Sequence, residues 1–142
     1  MTIHRFEDNP TNDSRALQCY LVLIGCAARR QTVTYGELAE KLGYKKVEGG
    51  PGATGGGVMG DRLAPLMFWC KQNDLPALTS LVVREDTGMP SLGIYLDPSE
   101  VPPAQQNVYA FDWYAIVPPT VEQLEKAPYA KGKHDAANTA AA

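Results

Sequence analysis

The chain has 142 residues, of which 44% are hydrophobic and 20% charged, and this is the composition of one globular domain of ordinary size. No apolar run approaches the roughly 18 residues of a membrane-spanning helix, and the polar, acidic first residues lack the pattern of a signal peptide. Three cysteines at irregular spacing are poor material for a disulfide framework, so we expect core thiols in a cytoplasmic protein.

The net charge of −3 is unevenly distributed along the chain. Nine basic and five acidic residues lie between Arg15 and Arg84, a balance of +4, whereas the rest of the chain carries −7. A basic region on an otherwise acidic protein is typical of a surface that binds nucleic acid. Ordinary variation in surface charge is the alternative explanation.

The first helix is the strongest periodic pattern. Residues 1–13 show no periodicity and are predicted to form a mobile tail. Ser14 is a candidate N-cap for a helix that runs to Arg30, and Arg29 and Arg30 suit the negative end of its dipole or could equally meet a phosphate. The apolar face of this helix consists of Leu17, Tyr20, Leu21, Ile24 and Ala28.

A second, short helix is predicted from its N-cap. Thr34 is followed three residues later by Glu37, which is the spacing of a capping box. Leu38 and Leu42 share one face of this helix, and Gly43 supplies the left-handed backbone position that ends many helices.

A glycine-rich segment, Gly49–Gly57, separates this helix from a third one and is predicted to be a flexible loop. Its amides could cradle a phosphate, but it lacks the Gly-Lys-Ser/Thr ending of a P-loop, so nucleotide hydrolysis is not expected. The third helix is predicted to begin near Asp61, with Pro65 in or just after the first turn or else at a kink. Its buried face consists of Leu63, Leu66, Met67 and Cys70.

The second half of the chain predicts a hairpin followed by an aromatic segment. Leu78–Glu85 is β-prone, a turn follows at Asp86, and the chain returns over Leu92–Leu96. Pro102 is expected to start a helix that carries Tyr109 and the aromatic residues after it, although their alternation leaves a strand open. A short amphipathic turn over Val121–Ala127 then precedes a tail of disordered composition.

These elements together predict an α+β fold, a winged helix-turn-helix that is mostly helical with a small β-hairpin wing. The winged-helix domain covers residues 14–98, after the flexible N-terminal tail 1–13. Residues 99–127 form a C-terminal aromatic segment that packs on this domain, and 128–142 form a disordered tail.

Groups that could perform catalysis or hold a cofactor are not brought together by the sequence. His4 and His134 lie in opposite tails, and the cysteines lie on apolar helix faces, where thiols are usually inert. We therefore expect neither enzyme activity nor a metal or other cofactor.

The stretch Val33-Thr34-Tyr35-Gly36-Glu37-Leu38-Ala39, followed by a loop, a helix and Leu81-Val82-Val83, resembles the DNA-binding domain of alkylguanine DNA alkyltransferases and their alkyltransferase-like relatives. The resemblance covers roughly residues 15–96, and it implies that Tyr35 contacts the DNA backbone at the target nucleotide. The arginine that opens the family's recognition helix falls in the glycine run Gly55–Gly57, and Arg62 is the first basic residue after it. Leu78-Thr79-Ser80-Leu81 replaces the family's Pro-Cys-His-Arg motif, so the resemblance implies DNA binding without alkyl transfer.

The sequence therefore predicts a non-catalytic protein that binds double-stranded DNA, with residues Asp61 to Lys71 facing the major groove. The candidate DNA-binding residues are Tyr35, Lys45, Lys46, Arg62, Lys71 and Arg84. The alternative is a protein-interaction module or inhibitor, in which the segment Tyr109–Tyr114 anchors a protein partner. No membrane association is expected.

Overall fold

The computed structural model describes residues 3–44, 57–90 and 96–127, and these residues form five helices and one small sheet. The helices and strands in chain order are α1 Asn12–Ala28, β1 Val33–Thr34, α2 Tyr35–Lys41, α3 Gly57–Gln72, β2 Val82–Val83, α4 Val101–Ala110 and α5 over residues 121–127. Short 3-10 turns occur at Phe6–Asp8, Leu78–Leu81, Pro98–Glu100 and Trp113–Ala115. A mostly helical α+β chain is thereby confirmed. No helix among the described residues is both long enough and apolar enough to cross a bilayer.

Helix α1 begins earlier than its sequence predicts. Its N-cap is Thr11, whose Oγ1 accepts a hydrogen bond from the Ser14 amide at 3.1 Å, so Ser14 is the capped residue and not the cap. The first turn of α1 thus includes residues 12 and 13 of the predicted tail. After the helix ends, Arg30 adopts a left-handed backbone with φ of 53°, and the Gln31 amide donates to the Cys26 carbonyl at 3.0 Å.

The capping box of α2 is confirmed. The Glu37 amide donates to Thr34 Oγ1 at 3.1 Å, and the Thr34 amide donates to the Glu37 carboxylate at 3.0 Å. These hydrogen bonds lower the pKa of Glu37, with the bond from the Thr34 backbone as the largest cause. Gly43 has φ of 90°, as expected for the residue that ends the helix.

Replacing Thr34 with alanine is expected to lower the free energy of unfolding by about 1 kcal/mol, because the orphan amide of the first turn loses its acceptor. Thr34→Ser keeps the hydroxyl and serves as the control, with a smaller loss. Denaturant unfolding at neutral pH would measure both variants.

The hydrogen bond from the Thr34 amide to the Glu37 carboxylate is expected to depend on pH. Since the pKa of Glu37 is lowered in the fold, this bond stabilises the protein at neutral pH, and the stabilisation is lost as the pH falls through that lowered pKa.

Helix α3 begins at Gly57 and not near Asp61, so Pro65 lies inside the helix. A proline there removes one amide donor and crowds the preceding turn. Pro65 is fully buried, and α1 packs along α3 more extensively than along any other element, which keeps the helix continuous through the proline. The predicted buried face is confirmed at Leu63, Leu66 and Cys70, whereas Met67 is only partly buried.

The sheet differs from the predicted hairpin. Val82 and Val83 pair in parallel with Val33 and Thr34, and Leu78–Leu81 forms a 3-10 turn and not a strand. The chain does reverse after β2, where the Arg84 amide donates to the Met89 carbonyl at 2.8 Å. Residues 92–95, which are most of the predicted return strand Leu92–Leu96, lie outside the described residues. Val82 is fully buried, and burial of both faces is characteristic of parallel pairing.

The aromatic segment is helical up to Ala110, and the chain then turns back onto the core. Trp113 is 3% exposed, and its Nε1 donates to the Val108 carbonyl at 2.9 Å. Tyr20 of α1 meets Trp69 and Trp113 edge-on, with ring centroids 6.0 and 6.4 Å apart. Leu124 of α5 is also fully buried, so the C-terminal segment completes the core around α1.

Candidate nucleic-acid interface

The six candidate DNA-binding residues differ in how much of each side chain reaches the surface. Arg62 and Lys71 are partly buried on α3, and Arg84 is exposed directly after β2. Tyr35, the first residue of α2, is 4% exposed, so most of its ring lies in the core. The predictions for Lys45 and Lys46 lie outside the described residues.

Arg84 is already engaged by a carboxylate. Its Nη2 and Nε donate to the two carboxylate oxygens of Asp86 at 2.8 and 3.0 Å. Hydrogen bonding between these two side chains is the largest cause of the raised pKa of Arg84 and of the lowered pKa of Asp86. A phosphate at Arg84 would have to compete with Asp86, so little of this positive charge is available to DNA.

Arg62 is held by neutral groups. Its Nε donates to the Tyr44 hydroxyl at 2.9 Å, and its Nη1 donates to the side-chain oxygen of Asn12. Within residues 3–44, 57–90 and 96–127, no carboxylate lies within salt-bridge distance of this guanidinium. Arg62 is therefore oriented by its neighbours while its charge is left without a counter-ion among them.

A second arginine lies behind Tyr44. Arg15 is 6% exposed, and its guanidinium carbon is 5.0 Å from the centre of the Tyr44 ring. Its Nη1 donates to the Leu42 carbonyl at 2.8 Å and to Gln18 at 2.7 Å, whereas its buried Nε has no hydrogen-bond partner among the described residues. The Leu42 carbonyl ends α2, where a positive charge is favourable because of the helix dipole.

The group formed by Asn12, Arg15, Tyr44 and Arg62, here called the Tyr44 cluster, was not predicted as a unit from the sequence. Arg15 lies four residues before Cys19, which places it on the buried face of α1, and this spacing was the available signal. The partners of Tyr44 could not be recognised from spacing, since they lie on other helices. Both arginines act to lower the pKa of Cys19 against the larger, raising effect of burial, so two positive charges converge here.

An acidic cleft of about 370 Å³ adjoins the Tyr44 cluster and shares Asn12 with it. Its carboxylates are Asp13, Asp61 and Glu125, and its apolar lining is Ala64, Pro65 and Phe68. Burial, and then repulsion from Glu125, raises the pKa of Asp13. The side of α3 that lines this cleft therefore faces α5 and the three carboxylates. That side is not open to a DNA groove, because the carboxylates repel phosphate.

The predicted groove-facing stretch Asp61 to Lys71 is therefore divided among three environments. Its core side packs on α1, and its cleft side faces the carboxylates. The third side carries Met67 and Lys71, both partly buried, in line with the exposed Gly60 at the N-terminal end. Apart from its own helix backbone, a side chain added at Gly60 would meet no atom of residues 3–44, 57–90 and 96–127 within 4 Å, so these residues leave the backbone open at this position.

The groups that could carry covalent chemistry are buried. Cys19, Cys26 and Cys70 are all free and buried, as predicted, and burial raises the pKa of Cys19 and of Cys70 to about 12. The Thr79 and Ser80 hydroxyls are also buried and have no hydrogen-bond partner in the described part of the chain. The described part of the chain contains no group of three or more side chains suited to hold a metal ion.

Comparison of the chain with models of protein families, with curated proteins and with solved structures found no match. The function of the Tyr44 cluster is therefore inferred from its own geometry and charge.

Proposed function

We propose that the protein binds double-stranded DNA without catalysis, as a winged-helix protein of the alkyltransferase-like kind, through the Tyr44 cluster. The orientation of Arg62 carries this proposal. A guanidinium that is fixed by a phenol and an amide keeps its full charge for an outside anion, and DNA presents one phosphate charge for about every 1.7 Å of duplex.

The surroundings of Arg62 support a polyanion as the ligand. Lys45 and Lys46 follow Tyr44 directly in the sequence, whereas Lys71 lies nine residues, or two and a half turns, from Arg62 and therefore on the opposite side of α3. Arg15 and Arg62 both lie next to Tyr44 and give this acidic protein a local concentration of positive charge. DNA-binding proteins attract duplex through such a basic region.

The absence of catalysis in the proposal follows from the burial of the possible nucleophiles. The thiols have raised pKa values, and the Thr79 and Ser80 hydroxyls would need a neighbouring base to react. A bound alkylguanine base would therefore stay unchanged.

Replacing Arg62 with glutamine is expected to weaken binding to duplex DNA and to reduce the slope of log K against log salt by about one unit, because one phosphate contact is lost. Fluorescence anisotropy with a labelled duplex at several salt concentrations would measure both quantities. Lys126→Gln removes one exposed charge from α5 and is the matched control, with an unchanged slope expected. Arg84→Gln should have a smaller effect than Arg62→Gln, since Asp86 already neutralises Arg84.

Absence of duplex binding by the wild-type chain at low salt would reject the proposed function. Equal slopes for wild type, Arg62→Gln and Lys126→Gln would show that any DNA binding uses a different surface.

A further inference from the structure

The hydroxyl of Tyr44 has an unused proton next to an unused edge of Arg62. Since this oxygen accepts from Arg62 Nε at 2.9 Å, its own hydrogen points elsewhere, and it has no acceptor among the residues described. Nη2 of Arg62 likewise makes no hydrogen bond within this part of the chain, because the bonds of this guanidinium are those from Nε and Nη1.

The shape of a guanidinium places these two donors side by side. The Nε and Nη2 hydrogens of an arginine run parallel in a rigid fork. An oxygen that accepts the Nη2 hydrogen parallel to the Nε hydrogen therefore lies beside the oxygen that accepts from Nε, which here is the Tyr44 hydroxyl. That hydroxyl can donate its proton to the incoming oxygen or to a second oxygen on the same group, so one small anion can satisfy both donors.

Arg15 makes this position more favourable for an anion. Its guanidinium lies over the face of the Tyr44 ring, where a positive charge draws electron density from the phenol and strengthens the O–H as a donor. It is 6% exposed and has no carboxylate within salt-bridge distance in the described ranges, so its desolvation is not offset by a counter-ion. A bound anion nearby would offset part of that cost.

We propose that the Tyr44 hydroxyl and Arg62 Nη2 together bind one phosphate of the DNA backbone, with Arg15 positioning the Tyr44 ring from behind. This inference rests on the proposed function, and it adds the uncharged residue Tyr44 to the residues that contact DNA. A phosphodiester offers two acceptor oxygens and no donor, which matches a pair of donors. Asp13 and Asp61 face the cleft on the far side of Asn12 and repel an anion there, so the phosphate lies on the Tyr44 side of Arg62.

Replacing Tyr44 with phenylalanine tests the inference, because it removes one hydroxyl and keeps the ring under Arg15. Duplex affinity is expected to fall roughly five- to tenfold, the size of one lost hydrogen bond together with the looser orientation of Arg62. The salt slope should stay that of the wild type, since no charge is removed. The variant Tyr44→Phe/Arg62→Gln should bind no more weakly than Arg62→Gln alone, as expected for two residues that hold the same phosphate.

Tyr109→Phe is the matched control, because Tyr109 also lies near an arginine, with the Arg30 guanidinium 6.0 Å from the centre of its ring. Its duplex affinity should equal that of the wild type. Denaturant unfolding of the Tyr44→Phe variant would show whether a lower affinity reflects partial unfolding, and an unfolding free energy near that of the wild type is expected.

The outcomes separate the inference from the proposed function. If the wild type binds duplex and Arg62→Gln flattens the salt slope while Tyr44→Phe binds like the wild type, the phosphate site is rejected and DNA binding stands. If the wild type does not bind duplex, both fail. Inorganic phosphate should displace the duplex no better than sulfate at equal ionic strength, and stronger displacement that is lost in Tyr44→Phe would assign the site to free phosphate instead.

Discussion

Replacing Trp113 with alanine is expected to lower the free energy of unfolding by about 3–5 kcal/mol, the range for removal of a buried aromatic side chain. Trp113 is 3% exposed, packs against Phe111 with ring centroids 4.6 Å apart and meets Tyr20 of α1 edge-on. The change would also leave the Val108 carbonyl without the indole donor. Chemical denaturation at neutral pH would measure the loss.

Tyr114→Ala is the matched control, since this neighbouring aromatic residue is 68% exposed. A change within about 0.5 kcal/mol is expected for it. Nearly equal stability of the wild type and the Trp113→Ala variant would show that the aromatic segment does not close the core. That result would favour the alternative function, in which this segment anchors a protein partner and the exposed Tyr114 and Val117 take part.

The thiols of Cys19 and Cys70 are expected to react with iodoacetamide about a thousandfold more slowly in the folded protein than in the unfolded chain at pH 8. Burial raises the pKa of both from 9.0 to about 12, and below the pKa the thiolate fraction falls tenfold for each unit. Mass spectrometry of timed samples, with and without denaturant, would measure the two rates. Cys26 has a pKa that burial also raises, while Arg29 acts to lower it, so it should be the most reactive of the three.

The same thiols decide whether the protein acts on alkylated DNA. Incubation with a duplex that contains an alkylguanine base is expected to leave the mass of the protein unchanged, because alkyl transfer needs a thiolate beside a base. A stoichiometric increase in mass on any cysteine would overturn the non-catalytic proposal, whatever the affinity for the duplex. Cys26 is the thiol on which an increase in mass would be looked for first. The Arg29 guanidinium donates to its sulfur at 3.8 Å and acts to lower its pKa, which favours the reactive thiolate.

Helix α2 shows what can be predicted from local sequence. Thr34, Glu37 and Gly43 define its beginning and end through hydrogen bonds and backbone angles that involve residues three or four apart. The buried face of α3 and the three core thiols followed from periodicity in the same way. In contrast, the predicted cap of α1, Ser14, is wrong, because the Ser14 amide donates to the hydroxyl of Thr11, which is the cap.

The sequence by itself determined where most helices form and most of the buried face of α3, because these depend on interactions within one or two turns. The apolar face predicted for α1 is confirmed at Tyr20 and Ile24 but is wrong at Leu21, which is 46% exposed. The tertiary structure decided the pairing of Val33 with Val82, the continuity of α3 through Pro65 and the formation of the Tyr44 cluster. In that cluster, Arg62 bonds to residues 18 and 50 positions away, and Arg15 to a carbonyl 27 positions away. Such contacts arise from the packing of α1 against α3 and α2, which brings distant polar groups together after the apolar faces are buried.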